Sequence, residues 1–324
     1  MSFFAILFAL MLEQARPLPR DNPAYEGLKA WAVSVRRGFD DGPAGEPWLT
    51  WAIALLIPVA FASGVYLLLL HWIGWPVALL WNVAVLYLTV GFRQFSHHFT
   101  SIRDALAEDD DAAARRAFAY WRQMEPQSFT RTELLRHVLA YGIVQAHRHV
   151  FGVFFWFTAL MLLGLGPAGA VLYRTAEYLS RQWSRHTIAG QAPVSLPLQQ
   201  ATRKAWAWID WLPARLTAIG VAMVGSFEEA IVGWRQHASV APQDNDGIIV
   251  AATAGALHVR LSGPGLTPRA DMDFGTPEPL QDSAYTEGQP PEFQHLHSMV
   301  GLVWRLVAVW LLLLAVLTVG RLLG

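Results

Sequence analysis

The chain has 324 residues, 54% hydrophobic and 15% charged, with a formal net charge of −1 and a mean hydropathy of +0.30. Soluble domains carry about 25% charged residues, so the balance points to a membrane protein and away from a large soluble core. Near-neutral charge leaves no electrostatic footprint for nucleic acid, and the absence of cysteine excludes disulfides, thiolate metal sites and cysteine nucleophiles.

The opening stretch, MSFFAILFALML, lacks a basic leader and meets Glu13 without a small-residue cleavage site. A dozen residues fall short of the roughly 20 that a crossing helix needs, so it reads as a retained, half-buried helix. Residues 48–92 contain no Lys, Arg, Asp or Glu and are too long for one span. The sequence HWIGWP (71–76) breaks them, and Trp gathers at both ends and at the break, where amphipathic rings suit headgroup depth. This is a transmembrane hairpin.

Residues 93–149 read as a cytoplasmic helical segment. Ile102, Leu106, Ala113, Phe118 and Trp121 are available for one side, around an acidic turn at 108–111. Residues 150–173 are apolar over the length of one membrane helix but contain GLGPAG at 164–169, so the run either crosses or turns back there. Residues 174–263 are expected to form a helical, site-forming region. Within it, WLPARLTAIGVAMVGSF (211–227) reads as a membrane-surface or re-entrant helix. A Pro-rich acidic loop without periodicity covers 264–297. A C-terminal transmembrane helix covers 298–320, with Arg305 near one end where its side chain can snorkel. Lacking repeats and strand patterning, the chain is expected to be all-α. It reads as one polytopic integral membrane domain, 1–324, with about four or five membrane helices and a helical membrane-adjacent region.

Lys and Arg counts set the orientation. Residues 13–47 hold five, 93–149 hold eight and the hairpin tip none, which makes both flanks of the hairpin cytoplasmic. Residues 174–207 hold five again, which conflicts with a single crossing at 150–173.

Charges beside a membrane are costly without a partner or a role, so they nominate the candidate site residues. His97 and His98 follow the hairpin; adjacent on a helix, they point apart and do not suggest a two-His metal site. Asp111 with Arg115 forms either a solvated ion pair or a phosphate contact. Arg148, between His147 and His149, is either an interface anchor or a ligand for an anion. Asp210 and Arg215 flank Pro213 and form either a salt bridge across the start of a helix or part of a ligand site.

The stretch DNDGIIVAATAGALHVRLSGPG (244–265) is too short in its apolar part to span, and it lacks the spacing and preceding strand of a phosphate loop. Asp244 or Asn245 caps a helix that SGPG ends, and Ala and Gly give it a small surface for helix packing or a substrate wall. Asn245, Gly247, Gly255 and Arg260 are its candidate residues. No metal site is predicted, and no catalytic residue is assigned.

That stretch resembles the Asn-Ala-Gly…Ala-Gly-Ala-Leu…Leu-Gly-Gly-Pro segment of the CobD/CbiB family, membrane proteins of cobalamin biosynthesis. ALAEDDDAAARRAF resembles the family's Leu-x-x-Gly-Asp-x-x-x-Ala-Arg helix, WLPARLTAIG its Ile-Pro-Ala-Arg-Leu-Thr-Ala segment, and GLGPAGAVLYRTAEYL its Gly-x-Pro-Gly-Ala…Tyr-Lys-Ala-x-Asn-Thr-Leu-Asp run. The resemblance covers most of the chain, and residues 244–265 and the Pro-Ala-Arg-Leu motif are its specific parts. It implies adenosylcobinamide-phosphate synthase chemistry, an amide formed between a corrinoid carboxyl and aminopropanol phosphate. Arg115, Arg148 and Arg215 would then hold phosphate or corrinoid carboxylates, and the 245–255 helix would line the site. No cofactor is evident; Mg²⁺ and ATP follow only from the ligase assignment.

Acidic positions of the family pattern are replaced at three places. The acid of Glu-Asn-x-x-Asp-Gly falls on Arg148, Asn-Thr-Leu-Asp falls on Glu177-Tyr178-Leu179-Ser180, and the Asp-Asp pair before Pro-Ala-Arg-Leu falls on Trp206 and Ala207. These departures, MSFFAILFALMLEQARPL and IDWLPARL resemble the AmpE proteins, inner-membrane modulators linked to β-lactamase induction. The alternative is therefore a non-catalytic AmpE-like regulator. Either resemblance implies a bacterial-type inner (cytoplasmic) membrane, multi-pass location. The expected partners are the lipid bilayer and a corrinoid or other anionic small molecule.

Overall fold

A computed structural model describes residues 2–16, 22–40, 45–122, 128–184, 193–261 and 288–323. Among these the architecture is all-α; the one departure toward β-structure is an isolated parallel bridge between Val259 and Gln289.

Helix α1 (Ser2–Ala15) buries Ala5, Ile6, Ala9 and Leu10 on one side and exposes Phe4, Phe8 and Met11 on the other. In α2 (Pro23–Phe39), the Asn22 side chain caps the first turn by accepting from the Tyr25 N–H at 2.9 Å. The hairpin follows as α3 (Pro47–Trp72) and α4 (Trp75–Thr89), separated at Gly74, whose φ of 112° favours glycine. The Trp81 indole donates to the Ala62 carbonyl at 3.0 Å and ties the two arms together. At 1.5 Å per residue α3 is about 39 Å long and α4 about 22 Å, so only the first arm exceeds a hydrocarbon core of about 30 Å.

Among the described residues, three helices are long and apolar enough to cross a membrane: α3, α10 (Leu196–Val224) and α13, over Phe293–Gly320. Helices α1, α4 and α12 (Asn245–Leu257) are apolar but shorter.

Residues 93–149 fold as α5 (Phe92–Ala107), α6 (Asp111–Arg122) and the first part of a longer helix. Ile102, Leu106, Phe118 and Trp121 are buried as expected, but Ala114 takes the buried place assigned to Ala113. Helix α7 (Arg131–Ala146) opens with a reciprocal cap between Thr130 and Glu133. It does not stop at 149. It runs through a π turn (His147–Phe151) directly into α8 (Gly152–Leu162).

Of the two courses open to 150–173, the chain takes the reversal, and the run is two helices instead of one. Gly164 and Gly166, at φ of 80° and 61°, reverse the chain within GLGPAG, and α9 (Ala168–Trp183) runs back along α8. A Cβ on Gly169 would lie 1.8 Å from the Trp156 carbonyl oxygen, and one on Gly152 would lie 2.1 Å from the Tyr173 ring, so the pair is antiparallel and closely packed. The apolar end of the continuous α7–α8 rod, residues 150–162, reaches about 20 Å before the turn, less than a hydrocarbon core of about 30 Å.

The surface helix expected at 211–227 is the second half of α10, which starts at Leu196 under a Ser195 cap and continues through Pro213. After α11 (Phe227–Val240) comes α12, capped by Asp244 as anticipated. It ends at His258, in the left-handed conformation with φ 54°, ahead of the SGPG sequence expected to end it. Residues 264–287 of the expected loop lie outside the described residues. The rest is partly helical, because α13 (Phe293–Leu323) starts at Phe293 instead of Ser298. Arg305 does not simply snorkel. It donates to the Val224 carbonyl at 2.8 Å and so caps the C-terminal end of α10.

Candidate functional site

The polar centre of the molecule is built on the π turn. A π turn fits an extra residue into a helix and shifts the direction of its side chains, and such turns are frequent at functional sites. Here it turns His147 and Arg148, both buried, toward α9, α10 and α12.

The His147 ring lies between two side chains of α10, with Nδ1 2.8 Å from Thr217 Oγ1 and Nε2 2.9 Å from Asp210 Oδ1. The Tyr173 hydroxyl of α9 donates to the same Asp210 oxygen at 2.7 Å. With His147 neutral, Nε2–H donates to Asp210 and Nδ1 accepts from Thr217, which uses both ring nitrogens. His147, Asp210 and Thr217 are all fully buried.

Arg148 points to the other side. Its Nη2 donates to Asp246 Oδ2 at 2.5 Å, and its guanidinium lies 5.4 Å from the centre of the Trp206 ring. Asp246 stands in the first turn of α12. Burial pushes its carboxyl up to about 6, the nearby Asp210 and Asp244 add to the rise, and Arg148 and His147 oppose it. Glu177 of α9 is held the other way. Burial alone would raise it, but Arg181 and Arg174, with His149 and Arg148 behind them, bring it down to about 2. Its oxygens lie 3.3 Å from Arg174 and 3.6 Å from Arg181.

Asn245 and Arg215 form a second, structural element. Arg215 donates to Asn245 Oδ1, the Trp211 carbonyl and the Pro242 carbonyl, each at 2.8 Å, and stacks on Trp211 at 4.3 Å. Asn245 Nδ2 in turn donates to the Ala207 carbonyl at 3.1 Å. The clamp fixes the start of α12 against α10. Of the two roles open to Asp210 and Arg215, the direct salt bridge does not form; each is engaged elsewhere.

Of the residues nominated by sequence, Arg148, Asp210, Arg215, Asn245 and Gly247 gather where the π turn, α10 and α12 meet. Gly247 is needed because a Cβ there would lie 2.2 Å from both Asp244 Oδ2 and His237 Nε2. Gly255 faces the α11 backbone, where a Cβ would lie 2.2 Å from the Glu229 carbonyl oxygen. The small residues at this point of α12 therefore serve helix packing. The others lie apart. His97 is exposed, and His98 stacks on Trp121 at 6.0 Å. Asp111 lies 3.3 Å from Arg131 and 4.0 Å from Arg115. Arg260 is exposed, its backbone N–H bonded to the Gln289 carbonyl at 2.9 Å.

Sequence reasoning did not nominate His147, Tyr173, Glu177, Thr217 or Asp246. The best available signal was at Asp246, a charge inside the most family-specific stretch of the chain.

No group of three His, Asp or Glu side chains able to hold a metal occurs among the described residues. Asp246 is already paired with Arg148. One oxygen of each acid in the cluster is thus already bonded, and no formed ligand set for Mg²⁺ occurs among the described residues.

The molecule is 27% identical, over 96% of both chains, to the cobalamin biosynthesis protein CobD of Stutzerimonas stutzeri. The chain is a relative of the CobD proteins. It is 29% identical to the protein of that name from Chromobacterium violaceum, over 76% of each chain. With that of Mycobacterium tuberculosis the identity is 29%, over 65% of this chain and 66% of the relative. No family model and no solved structure matches. The CobD/CbiB resemblance read from the 244–265 stretch is thus supported along nearly the whole sequence.

Proposed function

We propose that the chain is a multi-pass inner-membrane protein of cobalamin biosynthesis that forms a cobinamide-phosphate synthase-type amide between a corrinoid carboxyl and aminopropanol phosphate. The observation that carries this assignment is the similarity to CobD, which extends over 96% of both chains. The AmpE-like alternative is not favoured, because eight curated relatives share the name of a cobalamin biosynthesis protein.

The buried Arg148 cluster supports a binding role for polar and charged ligands at the membrane face. Charged groups held inside an apolar helical protein mark substrate paths more often than stabilising contacts. Arg148 is the residue suited to a carboxylate or phosphate, since its planar fork accommodates two oxygens at once. Asp246 occupies that fork in the described state, so an anionic substrate would enter by exchanging with Asp246.

Complementation tests the assignment. The gene is expected to restore growth of a strain lacking the synthase on a corrinoid whose side-chain carboxyl is still free. Failure of the well-expressed, membrane-inserted protein to do so would remove the enzymatic assignment.

A further inference from the structure

Two carboxylate oxygens in the central cluster are buried and have no hydrogen-bond partner within the described structure: Asp210 Oδ2 and Asp246 Oδ1. Asp210 is fully buried. Its other oxygen takes bonds from His147 and Tyr173, and the other oxygen of Asp246 takes the bond from Arg148. Each acid is thus held firmly on one side and left open on the other. The two acids are held by adjacent residues of the π turn, Asp210 by His147 and Asp246 by Arg148.

A carboxylate oxygen can only accept, and burying an unmet acceptor costs about 1–3 kcal/mol. Two open acceptors on carboxylates call for a missing group that donates, and a cationic one meets their charge as well. A primary ammonium has both properties, with three N–H donors around a compact charge. Serine or amide donors would fill the bonds but leave the charge unbalanced. A quaternary ammonium would balance the charge but bring no donor.

We infer that Asp246 Oδ1 and Asp210 Oδ2 form the ammonium subsite for a primary-amine ligand, with Asp246 as the residue that meets it from the more accessible side. The Asp246 side chain retains 22% exposure, whereas that of Asp210 has none, so a ligand arrives past Asp246. The inference rests on the amide-forming assignment above and deepens it, by naming where the amine partner is held. Arg148 then stands beside the amine, placed for the phosphate or carboxylate of the same or the second substrate.

The test uses the full-length protein in nanodiscs and calorimetric binding of ethanolamine phosphate and phosphocholine. The two probes share the phosphate and the positive charge, and differ in having three N–H donors or none. The native protein is expected to bind ethanolamine phosphate about tenfold or more tightly than phosphocholine, the scale of losing a charge-assisted hydrogen bond. Asp246→Asn should abolish that preference, whatever its effect on the phosphate contact the two probes share. Equal binding of both probes, or binding of neither, overturns the subsite. So does a preference that survives in Asp246→Asn, which would mean exclusion of the methyl groups by size. The comparison of probes on the native protein needs no variant to fold. A chain that complements the synthase strain yet binds both probes equally loses only the subsite. One that fails to complement and binds neither loses the enzymatic assignment as well.

Discussion

Helix α3 and the continuous helix from Arg131 to Leu162 are both long, and they distribute their residues in opposite ways. Helix α3 has no Lys, Arg, Asp or Glu and exposes Leu56, Ile57, Phe61, Leu67 and Leu68. The second helix buries His137, Gln145, His147 and Arg148. A soluble protein would put its charges outside and its leucines inside. Where lipid is the solvent, the outer surface is apolar, and polar groups collect inside, where protein donors and acceptors take the place of water. The stability of such a centre depends on pairing, because each charge relies on the partner opposite.

The strongest way to break the contrast is Arg148→Ala. It leaves Asp246 buried beside Asp210 without its counter-charge and is expected to cost about 3–5 kcal/mol, read as a lowered unfolding midpoint in detergent. A loss below about 1 kcal/mol would show that water screens the pair, as at an exposed ion pair.

The opposite test is Phe61→Lys on α3, at a side chain 67% exposed near the middle of the helix. If that face meets lipid, a lysine there costs about 2.5–3.5 kcal/mol of membrane insertion, measurable with a glycosylation-tagged insertion reporter. Unchanged insertion would take the outer face of α3 out of the bilayer.

A smaller effect distinguishes the α8–α9 pair from the rest of the membrane region. Gly169→Ala forces a Cβ onto the Trp156 carbonyl and is expected to cost about 1–3 kcal/mol through overpacking. Gly64→Ala in α3 meets nothing within 4 Å and should stabilise the helix by about 0.5–1 kcal/mol. Equal effects at the two sites would mean that α8 and α9 are not tightly packed.

The last contrast is a pH dependence. Asp246 titrates at about 6 in the folded chain, above the ordinary 3.8, through burial and the neighbouring Asp210 and Asp244, against Arg148 and His147. The folded state therefore holds more protons between those values. The associated stability is complete below about 3.8 and is lost as pH rises through about 6. Unfolding midpoints from pH 4 to 7 should fall more steeply in the native chain than in Asp246→Asn; parallel curves would assign the slope to another group.

The apolar scaffold was legible in the sequence because it depends on composition and length. The break at HWIGWP, the Asp244 cap and the reversal option at GLGPAG all rest on local residue chemistry that a sequence displays. The start of α13 was missed because hydropathy detects only the lipid-like part of a helix, while its first turn is fixed by packing, with Leu296 and Met299 fully buried. The candidate site was legible in pieces only. Arg148 marked a lost acid of the family pattern, and Asp246 stood where that pattern has Ala. Separated by 98 positions, they form one ion pair in the folded chain. Asp210 and Arg215 made the reverse error possible: five positions apart, they suggested a pair, yet helix geometry directs them to different neighbours.

The π turn at His147–Phe151 amounts to one residue of slack taken up inside an otherwise regular rod. An α-helix advances about 100° per residue, and the wider turn absorbs one residue, so α8 keeps its phase against α7 while the side chains inside the turn are redirected. Deleting one residue there would leave Gly152 and Trp156 against α9 but cost His147 and Arg148 their orientation toward α10 and α12. A single extra residue thus decides which way the protein's central charges face.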